Sequence, residues 1–254
     1  MFAHAVIIGS GSLTLAADFT PLDVSLETRY GGASARPLVG LLGSTKVMLL
    51  ARHGIPHRIA PHAINYRANL AMLQTLGIER IVAVNTVGGI APEAKAGVLI
   101  VPDQIIDYSW GREQSFSDSN KLYHVDFSSP YDRQLGNDLA DAAQRARLDV
   151  IVGGVYGCTQ GPRFETPAEI NRMDSDGCTV VGMTGMPEAG LARELGIPYA
   201  CVCLVVNPAA GRDGDSIDLD AIAIVSRAGM ERVGRLLVSF FEGLEGLEGL
   251  EERS

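Results

Sequence analysis

The sequence of 254 residues lacks an excess of basic residues, because Lys and Arg number 21 against 30 Asp and Glu, for a formal charge of -9. No basic stripe is present, which argues against nucleic-acid binding as the main role, since phosphate backbones are held by clustered cations. A small anionic ligand is compatible with this charge, because a few local Arg side chains and backbone donors can outweigh the net field. We therefore expect a small-molecule ligand rather than a nucleic acid.

Long apolar runs are also lacking. No stretch of about 18 apolar residues occurs, so no membrane span is predicted. The N-terminus has neither the basic segment nor the long apolar core of a signal peptide. The four cysteines fall in or beside predicted strands, which is typical of reduced, buried thiols, and no Cys/His spacing resembles a zinc site. These absences predict a cytoplasmic protein with no metal cofactor and no membrane partner.

The sequence does contain a regular alternation of short apolar strands and helices. This order predicts a single α/β domain over residues 1–242, with a central mixed, mainly parallel β-sheet flanked by helices. The last helix is expected over residues 219–242. Residues 243–254 contain Gly-Leu-Glu repeats, whose period does not keep one helical face. We predict that this low-complexity tail is frayed.

The chain is organised around residues 157–169. They follow an apolar run, residues 150–156, that is predicted to form one buried strand. A helix is predicted to begin at Thr166 as N-cap, because Pro167 suits the first helical position and Glu169 completes a capping box. In open α/β sheets, ligands bind at the carboxyl ends of strands. The loop between this strand and this helix is therefore a candidate site.

Three side chains near predicted strand ends suit a flat polar ring. Phe164 can stack on a heterocycle, and Glu165 beside it can accept a hydrogen bond from the ring edge. The alternative is an ordinary capped helix with a solvated Glu165. Asn207 follows an apolar strand predicted over residues 199–206, and its amide can both donate and accept.

Polar side chains at other strand ends suit an oxyanion. Arg supplies paired donors in a fixed fork, and His adds another donor. Thr184 lies just before a predicted helix N-terminus, where its hydroxyl and the free backbone amides of the helix favour an anion. The first Gly/Ser loop lets backbone amides and hydroxyls approach an oxyanion, but it lacks the dinucleotide fingerprint and the P-loop lysine, so alone it is a weak signal, and a plain glycine turn is the alternative. A second Gly-rich turn is predicted over residues 85–90, after a strand over residues 81–84. The candidates are Ser10, Ser12, Arg52, His53, Asn85, Thr86 and Thr184.

A polar, irregular segment covers residues 110–130, and such long loops are usually functional or part of an interface. His124 within it is either a surface residue or one that reaches a site. No Ser-His-Asp spacing, metal cluster or nucleophilic cysteine context competes with a site for an oxyanion beside a flat ring.

Six stretches, in the same order, resemble the purine nucleoside phosphorylase and methylthioadenosine phosphorylase family over nearly the whole chain: residues 8–13, 52–54, 65–69, 85–89, 161–165 and 182–184. The resemblance implies a nucleoside phosphorylase-like fold and no cofactor, with inorganic phosphate as co-substrate. It also implies that the oxyanion candidates hold phosphate, with Met183 under the ribose and Phe164 against the base. His124 would reach the site of a neighbouring subunit in a homotrimer or a hexamer.

Three departures from the methylthioadenosine enzymes modify this expectation. Those enzymes have an Asp-Tyr-Asp-type stretch where this chain has Asn207, Pro208 and Ala209, and a small polar residue in place of Glu165. Gly11 stands where a phosphate-binding Thr or Ser would fall, which leaves Ser10 or Ser12 as the donor. Family members that take 6-oxopurines have Asn and Glu at the positions of Asn207 and Glu165. An amide and a carboxylate complement such a ring, because its O6 accepts and its N1–H donates.

The resemblance is therefore closest to the subgroup that takes 5'-methylthioinosine. It implies phosphorolysis to hypoxanthine and 5-methylthioribose 1-phosphate, with Glu165 and Asn207 acting on the leaving base. Met183 and Ile217 would favour a thioether at the 5' position. The alternatives are the same reaction on methylthioadenosine, inosine or guanosine, a hydrolytic nucleosidase, and a nucleoside-binding sensor. The last two would not need the whole phosphate-binding set.

Overall fold

The computed structural model describes residues 2–212 and 217–251, with side chains except those of residues 12, 13 and 245–251. Its strands are β1 (His4–Ile8), β2 (Thr20–Pro21), β3 (Glu27–Thr28), β4 (Gly31–Gly32), β5 (Leu38–Leu42), β6 (Thr45–Ala51), β7 (Arg80–Gly89), β8 (Leu99–Val101), β9 (Gln104–Asp107), β10 (Val150–Val152), β11 (Val155–Cys158), β12 (Val180–Gly182) and β13 (Tyr199–Pro208). Its helices are α1 (Tyr66–Thr75), α2 (Arg133–Arg145), α3 (Pro167–Ser175), α4 (Glu188–Glu194) and α5 (Leu219–Glu251).

The long strand β7 organises an eleven-stranded sheet. It pairs in parallel with β1 on one side and with β13 on the other, and β1 pairs in parallel with β6. The order β10-β8-β13-β7-β1-β6-β5-β2 continues outward through antiparallel pairs of β8 with β13, β6 with β5 and β5 with β2. The carboxyl end of β7 pairs antiparallel with β12. In turn β12 pairs in parallel with β11, and β11 pairs in parallel with β9. The prediction of a mixed, mainly parallel sheet flanked by helices is confirmed.

Alternating strand residues build a core on each face of this sheet. Ala5 and Ile7 of β1 pack with residues of α1 and α4, whereas Val6 and Ile8 pack with residues of α2 and α5. This is the period of two expected of a strand buried on both faces. All four cysteines are buried and free. Within the described residues, no helix is long and apolar enough to cross a membrane.

The capping box predicted at the start of α3 is formed. Thr166 Oγ1 accepts from the Glu169 amide at 3.2 Å, and the Glu169 carboxylate accepts from the Thr166 amide at 2.8 Å. These bonds satisfy helix N–H groups that have no partner within the helix. The cap fixes the end of the loop that carries Phe164 and Glu165.

Three predicted boundaries were wrong. The apolar run over residues 150–156 forms two strands, β10 and β11, because Gly153 and Gly154 break it with φ values of 96° and 108°. The predicted turn over residues 85–90 is mostly strand, because β7 continues to Gly89 with β12 and β13 as partners. The last helix extends to Glu251 instead of ending near residue 242. Leu and Glu of the repeats have high helix propensity, and Leu244 is buried. The limit of the domain at residue 242 and the fraying of the tail stay predictions.

Candidate active site

A cavity of about 220 Å3 lies at the carboxyl ends of β1, β6 and β13, along the second half of β7. It brings together most of the residues that the sequence singles out. The candidate oxyanion ligands that line it are Ser10, Arg52, His53, Asn85, Thr86 and Thr184. The candidate nucleoside contacts that line it are Phe164, Glu165, Met183, Asn207, Ala209 and Ile217.

Three predicted site residues are not among those that line the cavity. Pro208 instead offers its carbonyl oxygen to the side chain of its neighbour Asn207. His124 is exposed in the irregular segment over residues 110–130, so a role for it at the site of another subunit stays a prediction. The side chain of Ser12 lies outside those that the structure describes.

Arg52, predicted as an oxyanion ligand, is held in a fully buried ion pair. Its Nη2 and Nε lie 2.7 and 2.9 Å from the two carboxylate oxygens of Glu188, the first residue of α4. Tyr199 donates its hydroxyl to the same carboxylate at 2.9 Å. The guanidinium also donates to the carbonyl oxygens of Val84 and Ile7, at 3.0 and 3.4 Å. One Nη1–H therefore remains for a ligand, and the charge of Arg52 is already balanced.

His53 is held by a hydrogen bond from one of its two ring nitrogens, which leaves the other, predicted as a donor, to face a ligand. Its Nδ1 lies 2.8 Å from the carbonyl oxygen of Ile59, which can only accept, so Nδ1 carries the proton. Burial, assisted by the neighbouring charge of Arg52, lowers the pKa of His53 to about 4. Near neutral pH, Nε2 is then unprotonated. This tautomer can accept the proton of a P–OH group but cannot donate to a phosphate oxygen.

Glu165 is oriented by a residue that the sequence did not single out. Thr159, which follows β11, donates its hydroxyl to Glu165 Oε1 at 2.6 Å. One carboxylate oxygen is thereby fixed, and the other is left to accept from a ligand. Phe164 beside it is 43% exposed, as expected of an aromatic surface without a partner ring.

Asn207 is placed by a β-bulge. The register between β13 and β7 shifts between Val205 and Asn207, so that consecutive residues Val206 and Asn207 both line the cavity. Bulges redirect side chains in this way beside many active sites. Asn207 Nδ2 donates to the Pro208 carbonyl oxygen at 2.6 Å. One N–H and the side-chain carbonyl remain for a base edge.

Arg112, in the irregular segment, ties the two sides of the cavity together. Its guanidinium donates to the carbonyl oxygens of Thr159 and Gln160 at 3.1 and 2.9 Å, and also to the carbonyl oxygen of Met186. Further bonds go to the side chains of Gln160 and Tyr66. The loop that carries Glu165 is thereby held against the segment that carries Thr184. Sequence patterns could not show this, since the partners lie 46 to 74 residues away.

The described residues contain no group of three or more His, Cys, Asp or Glu side chains arranged to hold a metal ion. The polar groups of the cavity instead form two sets. Side chains suited to an oxyanion lie near β1, β6 and β7, and an aromatic ring, a carboxylate and an amide lie near β11, α3 and β13. Such an arrangement can hold a tetrahedral anion beside a flat heterocycle.

Comparisons with known proteins agree with this arrangement. A family profile described as Phosphorylase superfamily matches residues 3–242. A protein of Pseudomonas syringae pv. tomato named probable S-methyl-5'-thioinosine phosphorylase is 46% identical over 235 residues, which cover 92% of this chain and 96% of that protein. The 6-oxopurine nucleoside phosphorylase of Pyrococcus furiosus is 40% identical over 242 residues, covering 92% of this chain and 90% of that protein.

Solved structures show the same fold. Methylthioadenosine phosphorylase from Schistosoma mansoni in complex with adenine superimposes with a TM-score of 0.88 at 27% sequence identity. The match covers 97% of this chain and 93% of that one. The sequence matches and the structural match therefore both cover nearly the whole chain.

Proposed function

The chain belongs to the phosphorylase superfamily, and we propose that it cleaves S-methyl-5'-thioinosine with inorganic phosphate, giving hypoxanthine and 5-methylthioribose 1-phosphate. The observation that carries this proposal is the single cavity that combines Arg52, Asn85 and Thr184 with Glu165 and Asn207. The relatives with the corresponding name support the choice of substrate. The chain is thus a pentosyltransferase that acts on a purine nucleoside.

Phosphate is the nucleophile in this reaction. It attacks C1' as the bond to the purine N9 breaks, through a transition state with oxocarbenium character, so the protein mainly positions the reactants and stabilises charge. Thr184 and the remaining Nη1–H of Arg52 donate to phosphate oxygens, while neutral His53 accepts the P–OH proton. The Arg52–Glu188 pair supplies a fixed donor without adding net charge.

The purine leaves as an anion that must be neutralised. Asn207 donates its free N–H to N7 or O6, and Glu165, oriented by Thr159, accepts from N1–H. An amide has no acidic proton, so the proton that completes hypoxanthine comes from solvent. Both contacts suit a 6-oxopurine, and a base edge with the opposite donors and acceptors would leave them unpaired.

Apolar side chains contact the 5' group of the nucleoside. Met183, Ile217 and Ile222 line the cavity and complement a thioether. A buried methyl contributes only about 0.8 kcal/mol, so discrimination against a 5'-hydroxyl is modest. The second candidate function is therefore phosphorolysis of inosine or guanosine, which the 6-oxopurine nucleoside phosphorylase of Pyrococcus furiosus favours. No metal or organic cofactor takes part in either reaction as proposed.

Turnover is expected to require inorganic phosphate or arsenate. Purine release should be measured for methylthioinosine, methylthioadenosine and inosine, each with and without phosphate. We expect kcat/KM to be highest for methylthioinosine, lower for inosine and lowest for methylthioadenosine. Equal rates in phosphate-free buffer would make the protein a hydrolytic nucleosidase. A preference for inosine would support the second candidate.

We further infer a cytoplasmic homotrimer, or a hexamer of two trimers, in which His124 completes the 5' end of a neighbour's site. The irregular segment supports this, because Trp110 and Leu122 are 70% and 69% exposed. Light scattering is expected to give a trimeric or hexameric mass. An active monomer, or His124→Ala with unchanged nucleoside KM, would contradict the inference.

A further inference from the structure

Tyr156 is a buried tyrosine that touches two of the proposed phosphate ligands. It lies in β11 and is fully buried. Its hydroxyl lies 3.3 Å from Asn85 Nδ2 and 3.4 Å from the backbone nitrogen of Thr184. Asn85 comes from β7 and Thr184 follows β12, so one phenol joins two separate walls of the cavity.

The surrounding backbone is shaped to admit this hydroxyl. A Cβ atom at Gly182 would collide with the Tyr156 hydroxyl, and one at Gly185 would lie 3.0 Å from the ring atom Cε1. Glycine at both positions lets the phenol pass beneath the segment that carries Thr184. Side chains in this segment would push the ring away and break both contacts.

The hydroxyl also determines how the Asn85 amide is used. Asn85 Oδ1 is buried and has no hydrogen-bond partner among the described residues. A 180° rotation of the Asn85 side-chain amide exchanges Oδ1 and Nδ2. The contact with Tyr156 is kept, because a phenol both donates and accepts. The phenol proton then bonds to Oδ1, the phenol oxygen still accepts from Thr184, and the NH2 group is left for an oxyanion.

The phenol remains neutral while it does this. Burial raises the pKa of Tyr156 well above its ordinary value of 10.0, chiefly by disfavouring the charged form. No negative charge is therefore placed beside a bound phosphate. We propose that Tyr156 is a positioning residue that sets the Asn85 amide and the Thr184 backbone for phosphate, an inference that rests on the proposed function.

Tyr156→Phe tests this inference because it removes only the hydroxyl. The KM for phosphate is expected to rise by about tenfold, the typical effect of one lost neutral hydrogen bond of this kind, while the nucleoside KM stays within about twofold. Tyr131→Phe is the matched control. Tyr131 is buried in the same core, and its hydroxyl has no partner among the described residues. We expect Tyr131→Phe to leave both KM values unchanged.

A double-mutant cycle tests whether Tyr156 acts through Asn85. If it does, Asn85→Ala and Tyr156→Phe together should raise the phosphate KM by less than the product of their separate effects. Equal changes in both KM values, or a Tyr156→Phe enzyme that matches Tyr131→Phe, would overturn the inference while leaving the proposed function intact. Phosphate-independent turnover of the wild type would instead overturn the proposed function. Calorimetric titration with inorganic phosphate would then decide on Tyr156 alone, with about tenfold weaker binding in Tyr156→Phe as the supporting result.

Discussion

Replacing Glu188 by alanine is expected to lower the free energy of unfolding by about 3–5 kcal/mol, because it leaves the Arg52 guanidinium buried without its counter-ion. Both side chains are fully buried, and the two hydrogen bonds between them measure 2.7 and 2.9 Å. The Tyr199 hydroxyl loses its acceptor as well. Urea unfolding at neutral pH measures the change.

Asp23→Ala is the matched control, since it breaks an ion pair of similar length at the surface. Asp23 lies 2.9 Å from Arg36, and the two side chains are 95% and 55% exposed. Exposed pairs contribute about 0–1 kcal/mol, so little change is expected. Equal losses in Asp23→Ala and Glu188→Ala would contradict the importance of burial.

Glu188→Gln separates charge from shape, in case the alanine variant does not fold. It keeps an acceptor for Arg52 and Tyr199 but leaves one uncompensated positive charge beside the cavity. A bound phosphate would then supply the missing negative charge, so phosphate should raise the Tm of Glu188→Gln by more than it raises the Tm of the wild type. An equal or smaller rise would show that Arg52 does not reach the anion.

Local sequence signals predicted the frame of the site well. The apolar run over residues 199–206 predicted β13 to within about two residues, and the Thr166–Glu169 spacing predicted the capping box. These features depend on neighbours within a few positions of the chain. Ligand-type residues after such strands therefore pointed to one edge of the sheet.

Long-range pairing could not be predicted in the same way. Arg52 and Glu188 lie 136 residues apart, and nothing in the local sequence around Glu188 distinguishes it from a first-turn carboxylate on an exposed helix. The Gly-rich end of β7 also looks like a turn, and only its pairing with β12 and β13 makes it strand. The ion pair and the end of β7 both depend on residues that are distant in the sequence and come together only in the folded protein.

With Asn207 as the proposed contact to the base, Asn207→Asp is expected to change the preference between methylthioinosine and methylthioadenosine by about 100-fold or more in favour of the adenine nucleoside. An amide beside the Glu165 carboxylate complements O6 and N1–H of a 6-oxopurine. A carboxyl group at the same position can instead engage N7 and the exocyclic amine of adenine. The ratio of the two kcat/KM values measures the change.

The Pro208 carbonyl determines how the new carboxyl group behaves. Asn207 Nδ2 donates to that oxygen at 2.6 Å, a distance that two unprotonated oxygens would not keep. The aspartate must therefore hold a proton toward Pro208 or turn toward the base. In the first case the other carboxyl oxygen accepts from the exocyclic amine of adenine, and in the second the carboxyl proton can be given to N7. Both contacts use the protonated carboxyl group, so the variant should lose activity with rising pH more steeply than the wild type does.

Asn207→Ala distinguishes a switch of specificity from a simple loss of binding. It should lower kcat/KM for methylthioinosine without raising it for methylthioadenosine, because it removes the amide and adds no acid. Only Asn207→Asp should improve the adenine nucleoside in absolute terms. If the wild type already preferred methylthioadenosine, the proposed roles of both Asn207 and Glu165 would be wrong. If instead both variants lowered kcat/KM for the two substrates equally, Asn207 would not read the 6-position, and Glu165 with Thr159 would be left as the group that selects the base.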